Sequence, residues 1–234
     1  MSSKENLCEI SGVPSPVLPV APTEIRLALD SPPGTGHTRS EVGQVLVLDP
    51  GTSNLGYLLI SSSGRPVKWG TLRLPSPEVT KRFRLTHISY ASRIFALMPM
   101  FDAVTHVIIE GQYHAKFAMH RLEAALQTAF ECNGRSVWVY APKNLKVKLG
   151  IATGDWAGNK RAVSKKAYEV IEAVTAVYPD IGKTMLAYYN SKTPMDRHNL
   201  ADPLVAYYGV FVKRCIKPPC GFIPYLPVPP PPLE

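Results

Sequence analysis

Two acidic side chains stand where apolar runs stop. Asp49 closes "QVLVLD" (44–49) and Glu110 closes "HVIIE" (106–110). A short, nearly continuous apolar run is the pattern of a strand covered on both faces, so each carboxylate is expected at the end of a buried strand. If those strands are neighbours, the two carboxylates lie side by side at the carboxyl end of a sheet, where open α/β sheets usually hold ligands. Carboxylates so placed repel each other unless one takes up a proton or a cation sits between them. Their hard oxygens suit a divalent ion such as Mg²⁺ or Mn²⁺. Further on, "MDRHNLADPLVAYYGVF" (195–211) puts His198, Asn199 and Asp202 on one face of a helix, with Leu204, Val205, Tyr208 and Val212 as the apolar stripe that presses it to the sheet.

Each of these residues also has a plainer explanation. Asp49-Pro50-Gly51 is a common turn sequence, and Glu110 can be a solvated strand end. Asp202 can be an N-cap with Pro203 as the first helical residue; otherwise Pro203 lies inside the helix and removes one of its hydrogen bonds. Gly51 lets the backbone turn sharply beside the acid, and Gly56 allows a close approach where the second strand begins.

The elements that must position these residues follow from periodicity. "QVLVLD", "GYLLISS" and "PVKWGTLRL", with Gly64 in the turn between the last two, predict an antiparallel meander. A helix is expected over 77–101, a strand over 106–110, a helix over 115–134 stopped by Asn133-Gly134, and a strand over 136–142 closed by Pro142. Helical patterns then cover about 160–178 and 196–214. Three antiparallel strands followed by helix, strand, helix, strand and two helices resemble the RNase H-like fold, an α/β architecture with a mixed five-stranded sheet between helices. The predicted domain spans 44–214. Residues 1–43 read as a disordered, proline-containing leader and 215–234 as a proline-rich tail, either passive or suited to a proline-binding partner.

Composition narrows the partners. A formal charge of +8 and a pI near 9.3 favour a polyanion. No apolar stretch approaches the roughly 20 residues needed to cross a bilayer, so no membrane span is expected. The four cysteines, Cys8, Cys132, Cys215 and Cys220, have neither zinc-site spacing nor the density of a disulfide framework, which points to a reducing, intracellular compartment.

The motifs "LDPGTSNLGY", "VIIEGQ", "KRAVSKKAYEVI" and "RHNLADPLVAYY" together resemble the RuvC-type Holliday-junction resolvases, most closely the branch with the poxvirus and iridovirus resolvases and the yeast mitochondrial junction-resolving enzymes. The match runs over about 44–214, through Asp49, Gly51, Asn54 and Gly56, then Ile109, Glu110 and Gln112, then Ala201 and Asp202. The resemblance implies a Mg²⁺-dependent endonuclease that cuts four-way DNA junctions and leaves 5′-phosphate and 3′-hydroxyl ends. In it Asp49, Glu110, Asn199 and Asp202 would hold two Mg²⁺ or Mn²⁺ ions roughly 3.5–4 Å apart. His198 would be a ligand or proton carrier. The chain departs from the pattern just before the last aspartate, where that branch usually has aspartates: Asn199 offers only a neutral oxygen, so ions should be held less tightly.

A basic stretch completes the set. Residues 143–166 contain Lys143, Lys146, Lys148, Lys160, Arg161, Lys165 and Lys166 against one acid, Asp155. This is either a solvated helix face or a track for phosphates, with Trp156 in a glycine-punctuated loop free to stack on a base. The resemblance places lysines of this helix beside the metals, so Lys165 or Lys166 would steady the phosphate. A junction's two-fold symmetry calls for a homodimer, and the Ala/Leu stripe of 115–134 faces either a second copy or its own core. Two other functions fit parts of the sequence: a catalytically weak or inactive junction-binding protein, and an actin or sugar-kinase type ATPase, whose phosphate loop also reads Asp-x-Gly-Thr but which needs a second such subdomain.

Overall fold

The computed structural model describes residues 23–26, 43–51, 54–74, 94–95, 97–112 and 117–219. Six strands form one sheet: β1 (Thr23–Arg26), β2 (Gln44–Asp49), β3 (Asn54–Ile60), β4 (Pro66–Arg73), β5 (Val104–Glu110) and β6 (Ser136–Tyr140). Their spatial order is β1-β4-β3-β2-β5-β6. The antiparallel meander of β2, β3 and β4 is joined through β2 to β5 and then β6, both parallel pairings. This is the mixed sheet of the RNase H-like fold. A further strand, β1, pairs antiparallel with the outer edge of β4 and comes from within the 1–43 segment. Most of that segment, most of the helix expected over 77–101, and the tail beyond residue 219 lie outside the described residues.

Among the described residues the α-helices include α1 (Phe117–Cys132), between β5 and β6, and then α2 (Pro142–Lys148), α3 (Trp156–Val177), α4 (Pro179–Asn190) and α5 (Pro194–Tyr207). None of the described helices is long and apolar enough to cross a membrane. Side chains on a strand alternate between its faces, and here both faces are covered. Val45, Val47, Leu58, Ile60, Trp69 and Ile108 pack with α3, α4 and α5. Leu46, Leu48, Tyr57, Leu59, Val107 and Ile109 pack on the other face, with Phe101 and with Leu122, Leu126 and Phe130 of α1. The apolar stripe of α1 therefore faces its own sheet, which removes it as a candidate dimer surface: burying those side chains in the core leaves them nothing to offer a second copy.

Two helices, α2 and α4, stand where no helix was expected. Pro142 does not merely close β6; it is the first residue of α2, just as Pro179 begins α4 and Pro194 begins α5. Proline at that position loses no hydrogen bond, because the first helical N–H has no partner anyway.

Helix α5 decides where Asp202 goes. Its N-cap is Thr193, whose hydroxyl accepts from the Asp196 N–H, so Asp202 is not a cap, and Pro203 lies inside the helix. Leu200 through Tyr207 are all buried, more than a single apolar stripe. Two long-range hydrogen bonds fasten the helix across the meander. The Trp69 Nε1–H donates to the Leu200 carbonyl at 2.9 Å, and the Tyr207 hydroxyl donates to the Gly64 carbonyl at 3.0 Å. Beyond Tyr207 the chain makes a π turn over Tyr208–Val212. Replacing Trp69 by Phe leaves the Leu200 carbonyl without its donor in a dry setting, which should cost about 1–3 kcal/mol. Urea unfolding should show it as a lower midpoint with an unchanged slope.

Candidate active site

Strand parity sets the first two members. Asp49 shares a face with Val45 and Val47, and Glu110 with Ile108, so both carboxylates lie on the side that α5 covers. Leu48 pairs with Ile109 in the parallel ladder, which makes Asp49 and Glu110 the next residues along two adjacent strands. Helix α5 supplies the third carboxylate, Asp202. Glu110 and Asp202 are only 9% and 7% exposed, and Asp49 is half-buried.

How a helix comes so near the first acid answers why the chain needs glycine there. Gly56 is the cross-strand partner of Asp49. A Cβ on Gly56 would stand 2.0 Å from the Asn199 carbonyl oxygen and 3.5 Å from the Pro203 ring. Pro203 has no N–H to give that carbonyl, so the helical bond is missing at the very turn that faces Gly56. Gly51 is similarly required, since its Cβ would meet the Asn54 carbonyl oxygen at 2.1 Å. The "DPGTSNLG" stretch thus ends a strand on an acid and then clears room for the helix carrying the next one.

One lysine stands among the acids. The Nζ of Lys146, on α2, is 3.5 Å from Asp202 Oδ1 and 3.8 Å from Glu110 Oε1. It belongs to the basic stretch expected to follow phosphates, but α2 turns it inward. Neighbouring Leu145 packs so tightly against the turn after α5 that a Cβ on Gly209 would lie 2.2 Å from Leu145 Cδ1. Around this core, the Tyr140 hydroxyl donates to Glu110 Oε2 at 3.0 Å. Gln112 folds back, its side-chain amide donating to the Glu110 carbonyl at 3.1 Å and its backbone N–H to the Glu123 carboxylate at 2.6 Å. His198 Nε2 is 3.4 Å from Asp202 Oδ2, and its buried Nδ1 has no hydrogen-bond partner.

The charges do not balance, and the titration of the site reflects it. Burial, then the charges of Glu110 and Asp202, hold the Asp49 carboxyl well above the usual carboxylate range, with Lys146 and Lys160 opposing. Burial and then Asp202 push Glu110 up to about 7, against the pull of Lys146 and Tyr140. Burial, and next to it Glu110, raises the Tyr140 phenol, which stays protonated and donating. Burial alone would lower the Lys146 ammonium, but Asp202, Glu110 and Asp49 outweigh it and raise it. Burial lowers His198, aided by Lys160 and Lys146 and opposed by Asp202, so its imidazole is neutral near pH 7.

Among the described residues, no three His, Cys, Asp or Glu side chains stand close enough to share one metal ion as they lie. The chemistry of the donors nevertheless suits one. Three carboxylates from three elements lie within one another's field with a single ammonium in contact, their hard oxygens are joined by the His198 nitrogen beside Asp202, and burial followed by mutual repulsion raises the proton affinity of two of them. Divalent cations favour such oxygens and would displace any proton bound there.

The remaining candidate residues are distributed outside this cluster. Lys143 and Lys148 are exposed on α2, and Arg161 and Lys165 are exposed on α3. Lys166 pairs with Glu169 one turn along α3. Lys160, also on α3, adds its charge to the field at Asp49 and His198. Asn199 precedes Asp202 by three residues on α5 and is half-buried. Lys146 and Tyr140 are the members whose roles sequence reasoning missed. A proline directly after a strand, read as a helix start, would have turned attention to α2.

No family model matches the sequence, and no curated protein matches it. Similar solved structures include RuvC of Thermus thermophilus, 17% identical over 70% of this chain and 94% of that one, with a TM-score of 0.41. They also include T. thermophilus RuvC in complex with Holliday junction substrate, 15% identical over 71% and 94%, with a TM-score of 0.41. A third is Ydc2, the yeast mitochondrial Holliday junction resolvase, 14% identical over 75% and 87%, with a TM-score of 0.43. The chemistry of this chain has to be read from its own side chains.

Two expectations follow from the geometry. Gly56→Ala forces α5 off the sheet and should destabilise the fold by about 1–3 kcal/mol, measured by chemical unfolding. The second concerns pH. A carboxyl whose folded pKa is raised binds its proton more tightly when folded, so its stabilising contribution is complete below the unfolded pKa and is lost as pH rises through the folded one. In chelator, the stability of the wild type relative to Glu110→Gln should therefore fall by up to about 3 kcal/mol between pH 4.5 and 7. Thermal or urea unfolding across that range reads it.

Proposed function

We propose that this chain is a structure-selective endonuclease that resolves four-way DNA junctions by divalent-metal-dependent phosphodiester hydrolysis. The observation that carries this reading is the convergence of Asp49, Glu110 and Asp202 beside Lys146, at the carboxyl ends of two parallel strands, next to exposed basic residues of α2 and α3. Asp49, Glu110 and Asp202 would hold Mg²⁺ or Mn²⁺, with the neutral oxygen of Asn199 as the weakest donor. Bound ions would supply Lewis-acid activation of water and stabilise charge on the departing 3′-oxygen.

The chain's own groups do the rest. Tyr140 fixes the Glu110 carboxylate by its hydrogen bond, and Gln112 holds the turn that follows. Lys146, already in contact with two of the acids, is placed to turn its ammonium onto the phosphate once the carboxylates are otherwise neutralised. Neutral His198, beside Asp202, can accept a proton. Lys143, Lys148, Arg161 and Lys165 follow the flanking phosphates, giving binding that weakens with salt. Two cuts in opposing strands call for two such sites, and a homodimer provides them.

One observation favours a second reading, a junction-binding protein without catalysis: Lys146 lies where it neutralises two of the acids. One experiment separates the two. Purified protein is incubated with a mobile four-way junction, linear duplex and RNA–DNA hybrid, in Mg²⁺, Mn²⁺ or chelator. The expected result is metal-dependent paired nicking of the junction alone, reduced at least about 10³-fold in Asp49→Asn while junction binding persists. Binding without any cleavage selects the second reading, and normal cleavage by Asp49→Asn shows the site to be misplaced.

A further inference from the structure

Trp156 stands at the first turn of α3 and is 68% exposed, whereas Trp69 is fully buried and Trp138 half-buried. A single exposed aromatic residue needs no explanation by itself, but three further features set this one apart. The first is its footing, because the preceding segment is knitted rather than loose. The Asp155 carboxylate accepts from the Gly158 N–H at 2.7 Å. Thr153 donates its N–H to Asn159 Oδ1 at 2.8 Å and its hydroxyl to the Asp155 carbonyl at 2.9 Å. The indole is presented from a fixed base, not from the free loop that its glycines suggest. The second feature is Lys160, one turn along, whose Nζ lies 3.9 Å from the centre of the Trp156 ring. The third is position: α3 packs along α5, the helix that carries His198 and Asp202.

The ammonium lies over one face of the indole, which leaves the other face for a base while the ammonium itself can meet a phosphate. We infer that Trp156 and Lys160 form a clamp on the strand near the carboxylate cluster, with an unstacked base on the open face of the indole and a neighbouring phosphate held by the ammonium over the other. The inference rests on the nuclease reading above. It adds a basis for selectivity. A base inside a duplex is already covered on both sides and has no face to offer the indole. A base at a branch point or a bulge, once out of the stack, does. The clamp therefore admits distorted DNA and discriminates against continuous duplex, through base stacking that is indifferent to sequence.

The test uses the full chain in chelator, as wild type, Trp156→Ala and Trp156→Phe, with circular dichroism confirming that each folds. The probes are a linear duplex, the same duplex with one unpaired thymidine, and a four-way junction. Affinities come from fluorescence anisotropy and stacking from quenching of tryptophan emission. The expected result is that Trp156→Ala binds the bulged and branched DNAs about 5- to 100-fold more weakly, with the duplex changed less than about 2-fold. Trp156→Phe should keep most of the affinity, and quenching by the bulged DNA should vanish in both variants. Equal weakening on all three probes, or no weakening on any, overturns the clamp. So does a change in self-association with DNA binding intact, which would make Trp156 a protein contact. If wild type cuts junctions in Mg²⁺ while Trp156→Ala binds and cuts identically, the clamp falls and the nuclease reading stands. If wild type binds none of the DNAs, both fall together.

Discussion

Three carboxylates and one ammonium, gathered against the edge of an apolar core, form a cluster that cannot satisfy itself. At an effective dielectric near 20, like charges about 4 Å apart repel by roughly 4 kcal/mol, and a single lysine contacting two of the acids leaves the third unmatched. Burial, and after it this mutual repulsion, raises the proton affinity of Glu110 and Asp49. Evolution rarely keeps such an arrangement for stability, because removing the charges altogether usually serves a core better. It makes sense where another cation is to enter. Much of the surrounding architecture serves to hold this imbalance in place.

That service explains several local departures from regular structure. A proline inside a buried helix forfeits a hydrogen bond, and a glycine inside a strand forfeits packing, yet Pro203 and Gly56 meet at the same carbonyl and together bring Asp202 down beside Asp49. The π turn after α5 and Gly209 likewise let Leu145 seat closely, which sets α2 and thus Lys146. Trp69 and Tyr207 reach from opposite partners to bond backbone carbonyls, clamping α5 to the meander by hydrogen bonds that only a buried setting makes worthwhile. Close approach at Gly51 and Gly56 brings the acids together, and Gly182 gives α4 a comparable approach to Thr175 of α3.

How much of this was legible in the amino-acid sequence depended on the range of the interaction. Apolar runs ending on acids, a property of adjacent residues, revealed β2 and β5 and through them Asp49 and Glu110. The face shared by His198, Asn199 and Asp202 was visible in helical spacing, although the interior place of Pro203 was settled only by packing against Gly56. Helices α2 and α4 were missed because each starts on a proline, which local rules read as easily for a stop as for a start. The inward turn of Lys146 was invisible for a related reason: in sequence it is one lysine among seven basic residues, and only the seating of Leu145 against Gly209 distinguishes it. Strand β1 depends on the free edge of β4, a partner more than forty residues away.

The claim at the centre is that Asp49, Glu110 and Asp202 bind divalent cations as a unit. Mn²⁺ binding in the presence of junction DNA, followed by electron paramagnetic resonance near pH 7.5, addresses it without depending on turnover. If the three acids do so, Mn²⁺ is held by the wild type and its binding is weakened in Asp49→Asn, in Glu110→Gln and in Asp202→Asn alike. Mn²⁺ affinity that none of the three substitutions changes, or no binding by the wild type at all, would contradict it.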